Sequence, residues 1–126
     1  MTNGRKDGHL GSEWFWSIIA IAGADRDALQ GQLLKLSQED LRRFQEEFIV
    51  LASELQVSPF AAFVEESEDG LADVAEWVVS QGKNMYQAVV ADPASIPHTV
   101  EGKGGEILSG VAPLVYEERF GEPLHI

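Results

Sequence analysis

The sequence predicts an all-α fold: a single domain in which about six or seven short helices pack as an irregular bundle. Three observations predict it. Apolar residues recur mostly three and four positions apart, with no sustained strict alternation, which is the period of a helix rather than a strand. Serines stand just ahead of several of these apolar runs, where a hydroxyl can accept a bond from an otherwise orphan helical amide. The 126 residues are 44% hydrophobic and 9% aromatic, which suits one core at a common domain size, and neither a repeat nor a compositional break divides them.

Residues 1–11 read as a flexible tail and residues 12–126 as the helical domain. The first helix starts after Ser12, carries Trp14, Phe15, Ile18, Ile19 and Ala22, and ends near Gly23. A second runs from about Asp27 to Leu36, with Leu29, Leu33 and Leu36 on one stripe and Gly31 weakening it from within. Ser37 and Asp40 then resemble a capping box, followed by Leu41, Phe44, Phe48, Leu51 and Leu55 at helical spacing, the longest stripe in the chain. Arg42, Arg43, Glu46 and Glu47 fill its outer face, where opposite charges four apart give modest support.

Ser58-Pro59 reads as another start, with Ser as cap and Pro at the first helical position, ahead of Phe60, Phe63 and Val64. After an acidic linker from Glu65 to Asp69, Leu71, Val74, Ala75 and Val78 form a stripe with Trp77 on its flank, closed by Gly82. Met85, Tyr86, Val89 and Val90 form the next, and Asp92-Pro93 stops it because the residue before proline disfavours helical geometry. Residues 94–105 read as loop, the most mobile internal segment, on the strength of Pro93, Gly102, Gly104 and Gly105. The last helix is expected over about Glu106 to Phe120, with Ile107, Val111, Leu114 and Val115 inward. Pro113 either kinks it or marks its true start.

Composition excludes several function classes. Without cysteine there is no disulfide, thiolate metal site or cysteine nucleophile, and a reducing interior is the natural compartment. The apolar run from Trp14 to Ala22 is far short of the roughly 18 residues that span a bilayer, so the expected location is the cytoplasm. Nine basic against 21 acidic residues give a formal charge of -12, which repels phosphate backbones and anionic lipid headgroups and favours a basic partner. Neither nucleic acid nor a membrane is expected as a partner, and no cofactor is implied.

The stretch from Ser67 to Gly82 resembles the Ser-Asp-Asp, Phe, Phe-Arg, Trp-Leu-Ile, Gly pattern of the uncharacterised bacterial family DUF4240, and the register continues through Tyr86, Asp92, Pro93, Ser95 and Ile96. Phe15-Trp16 with Ile18-Ile19, and Val115-Tyr116-Glu117-Glu118 with Gly121, are similar to that family's first and last helices. The likeness covers most of the chain from Trp14 onward. Glu68 stands where the family usually has Asp, Leu71 and Val74 for its two aromatics, and Ala75 for its Arg. The resemblance implies the helical fold and transfers no activity; if the family's site sets an acidic pair against that arginine, this chain keeps the acids without their partner.

The candidate site is the acidic run Glu65, Glu66, Glu68, Asp69, Asp73 and Glu76, with Trp77 and Tyr86 beside it. Such a run reads first as a solvated start to a helix, whose dipole favours carboxylates there, and second as a contact surface for a basic protein. A metal or acid/base site comes third, because the spacing does not match a calcium loop. His9, His98 and His125 include no pair four apart, and His98 near Ser95 and Thr99 lacks a third group to orient it, so no catalytic residue and no metal ligand is assigned. Gly102-Lys103-Gly104-Gly105 lacks the strand and helix of a phosphate loop. Trp14, Phe15 and Trp16 are consecutive, about 100° apart on a helix, so at least one lies at a boundary. Together these point to a non-enzymatic interaction protein using its acidic face, in the manner of small acidic immunity proteins. The alternative is an enzyme or small-ligand binder with a pocket near Trp77, Tyr86 and the acidic run.

Overall fold

Four side-chain caps fix where helices begin. In the computed structural model, which describes residues 11–64 and 67–125, Ser12 accepts from the amide of Phe15 at 3.1 Å and Asp25 from that of Ala28 at 3.1 Å. Ser37 accepts from Asp40 at 3.0 Å and Ser67 from Gly70 at 3.3 Å. Each such cap stabilises its helix by about 1 kcal/mol. The helices they open are α1 (Glu13–Ala22), α2 (Arg26–Leu33), α3 (Gln38–Glu54) and α4 (Glu68–Gln81), followed by α5 (Lys83–Ala91) and α6 (Val111–Phe120). Short 3₁₀ turns lie at Phe60–Phe63 and Pro93–Ser95, and the described residues include no strand. The protein is therefore all-α, as its periodicity requires.

α3 packs against both α4 and α6, α2 against α1 and α6, and α4 against α1 and α5. The core forms where their stripes meet. Phe15 sets its ring 4.9 Å from Phe44 and 6.2 Å from Phe48, and Trp16 lies 5.6 Å from Tyr86. Val74, Ala75, Val78 and Val79 close it from α4, Ile96 and Leu108 from the connections, and Ala112, Val115 and Tyr116 from α6. Of the three consecutive aromatics, Phe15 and Trp16 are buried, while Trp14 is the boundary residue, half-buried beneath the guanidinium of Arg43 at 4.3 Å. Arg43 in turn pairs with Glu47 one turn on, at 3.0 Å.

Four expectations need correction. Ser58 caps nothing: the Ser58-Pro59 peptide is cis, Pro59 itself takes the cap position, and the chain makes one 3₁₀ turn before Val64 returns to extended backbone. α2 starts earlier, at Arg26, because Asp25 is its cap, and it stops at Leu33, after which Lys35 and Leu36 bond three residues back in a tighter turn. The last helix begins at Val111 rather than near Glu106, so Pro113 falls in the first turn, where its missing amide has no helical partner to lose, and it marks the start of the helix. Leu114, expected inward, is 61% exposed. At about 100° per residue, the buried Val111, Ala112, Val115 and Tyr116 define an arc whose centre lies roughly 130° from Leu114.

Most of the expected tail, residues 1–10, lies outside the described residues. The loop after α5 is pinned at two points: Ile96 is buried, and the carbonyl of Gly104 accepts from Trp77 Nε1 at 2.9 Å. Gly105 follows with φ +79°, a left-handed conformation that favours glycine, and it lies against the side-chain amide of Gln81.

Candidate functional site

Asp69, Asp73, Glu76 and Ser80 follow one another at helical spacing along a single row of α4. Its two ends have different surroundings. Glu68, Asp69 and Asp73 are exposed and form no ion pair among the described residues; Glu68 and Asp69 sit in the first turn, where the helix dipole favours them. Glu76 is half-buried and accepts from Ser109 Oγ at 2.8 Å. Ser80 is buried, donates to the carbonyl of Glu76 at 2.7 Å and accepts from the amide of Leu108 at 2.8 Å. The row thus runs from an exposed acidic surface into the joint with the segment leading to α6. Glu65 and Glu66 lie outside the described residues.

Trp77 and Tyr86 are core side chains, 7% and 1% exposed. The indole of Trp77 is held by Gly104, and the hydroxyl of Tyr86 donates to the carbonyl of Leu51 at 3.0 Å. Burial, aided by the charge of Glu54, pushes the Tyr86 phenol well above its ordinary pKa. Among the loop residues weighed for hydroxyl activation, Ser95 donates to the Asp92 carbonyl and Thr99 accepts from the Glu101 amide. His98 is exposed. Among the described residues no three of His, Asp and Glu come together in a group that could hold a metal ion.

Two clefts open around the start of α2. One, of about 310 Å³, lies between α2 and α6, with Val111, Leu114 and Val115 as its apolar lining and Asp27, Glu117 and Glu118 at its polar margin. Arg26 also lines it, but its Nη1 donates to the carbonyls of Ile107 at 2.6 Å and Ser109 at 2.8 Å, which directs the guanidinium at the segment before α6. The other cleft is more polar and is lined by Gly23 to Asp27 with Glu106. Glu106 holds it closed on one side, accepting from the Arg26 amide at 2.6 Å and donating its own amide to the Ala24 carbonyl at 2.9 Å. Neither cleft was visible in the sequence, because each joins residues some 80 positions apart and the spacing of Leu114 reads as inward.

Three comparisons with known proteins bear on this architecture. The sequence model of the family described as "Protein of unknown function (DUF4240)" matches residues 11–118. No curated protein and no solved structure matches the chain. None of the described helices is long and apolar enough to cross a membrane.

Proposed function

Because the chain belongs to the DUF4240 family of proteins of unknown function, we propose its role from its surface: a non-enzymatic interaction module whose acidic exterior engages a basic protein partner. One observation carries this reading. Glu68, Asp69 and Asp73 stand exposed on a rigid, capped helix and form no ion pair among the described residues. Exposed carboxylates on a chain of formal charge -12 project a negative field that draws an oppositely charged protein and repels phosphate backbones and anionic lipid. Neutralising a basic partner in the cytoplasm, as an immunity protein neutralises its toxin, is the form of the role that fits a small acidic domain. A small-ligand or enzyme pocket at Trp77 and Tyr86 has less support, since each side chain already bonds a main-chain carbonyl within the fold.

The test uses two baits in the native host: the wild-type chain and E68Q/D69N/D73N. A basic protein retained by the first and lost by the second supports the reading; equal retention by both contradicts it.

A further inference from the structure

We infer that the cleft between α2 and α6 is a docking groove for a cationic amphipathic helix, with an apolar side chain seated on Leu114 and Lys or Arg residues reaching Asp27, Glu117 and Glu118. Leu114 is 61% exposed, yet its neighbours Val111 and Val115 in the same cleft are 4% and 1% exposed, so it is the outermost part of a continuous apolar strip. Covering its exposed part removes apolar surface from water and so favours a complex.

Charge selects the occupant. Asp27, Glu117 and Glu118 are all exposed and form no ion pair among the described residues. Arg26, the one cation in the lining, is held by the Ile107 and Ser109 carbonyls and keeps its charge, so three carboxylates against one guanidinium leave the lining net negative. An apolar strip with carboxylates in the same lining complements a helix with apolar residues on one face and basic residues beside them. It repels a second copy of this acidic chain, an anionic metabolite and nucleic acid. The volume of about 310 Å³ is at the small end of ligand sites and suits one or two seated side chains rather than a cofactor. Both walls are helices already formed, so docking requires no folding of the site.

This inference shares only the sign of the partner with the reading of α4; its residues are different. The probe is a synthetic helix of leucine and lysine in amphipathic order, about 14 residues long, titrated into the ¹⁵N-labelled full chain. Saturable shifts centred on Asp27, Gln30, Leu114, Glu117 and Glu118 are expected. Leu114→Gln, an exposed position whose variant folds as judged by an unchanged melting curve, should weaken binding about tenfold. A peptide of the same composition in scrambled order should lose the shifts at Leu114, while E68Q/D69N/D73N keeps them. Equal affinity for the scrambled peptide or for Leu114→Gln overturns the groove and leaves α4 untouched. Shifts confined to α4, or sedimentation of the wild type as a dimer that Leu114→Gln dissociates, overturn it as well.

Discussion

Ser80 accepts a 2.8 Å hydrogen bond from the buried amide of Leu108, and this contact, with the bond from Ser109 to Glu76, ties α4 to the segment that leads into α6. Ser80 is the only buried polar residue among those described, and its hydroxyl also donates to Glu76 one turn back. Ser80→Ala leaves the Leu108 amide without its acceptor, which costs about 1–3 kcal/mol. In urea unfolding the midpoint should fall while the slope stays the same.

Phe48→Ala removes a ring that is 3% exposed and lies 6.2 Å from Phe15 and 6.4 Å from Phe44. The helix that carries it packs against both α4 and α6. The cavity and the lost transfer energy together should cost about 3–5 kcal/mol, read by calorimetric or denaturant unfolding. An unchanged melting temperature would refute the placement.

Tyr86 makes stability fall in alkali. Its folded pKa is raised by burial and, secondarily, by Glu54, so above about pH 10 the unfolded chain loses the phenol proton while the folded chain keeps it. The unfolded state then binds fewer protons, and stability declines as pH rises through that value. Tyr86→Phe should flatten this limb when unfolding is followed from pH 8 to 11, values spanning the ordinary phenol pKa of about 10.

Ala24 has φ +58°, in the left-handed region, between Gly23 and the cap Asp25. That conformation costs an alanine about 1–2 kcal/mol, whereas glycine adopts it freely at an entropic cost of about 0.5–1. Ala24→Gly should therefore raise stability by about 0.5–1 kcal/mol; a lower melting temperature would contradict the assignment of strain.

The sequence made α1, α3, α4 and α5 legible because the signals there are local: a serine cap, an apolar period, a terminating glycine or Asp-Pro. Where it misled, the deciding contacts are distant. The buried Leu108 was missed because its amide is satisfied by Ser80, 28 positions away, rather than by a helix of its own. Leu114 matches the spacing of Val111 and Val115, so only knowing that Ala112 and Tyr116 share the inward arc turns it outward. Of the candidate site, the exposed character of Glu68, Asp69 and Asp73 was readable from a run without lysine or arginine. The use of Glu76 as an acceptor for Ser109, and the bonding of Trp77 and Tyr86 into the fold, were not.

The role assigned to α4 is tested most directly by the association rate of the captured basic partner as a function of ionic strength. For the wild-type chain the on-rate should be fast at low salt and fall steeply as salt rises. E68Q/D69N/D73N should lower it and flatten its salt dependence while changing dissociation little, since exposed charges act mainly on the encounter. If the folded variant keeps both the wild-type on-rate and its salt dependence, the acidic face of α4 is not the contact surface.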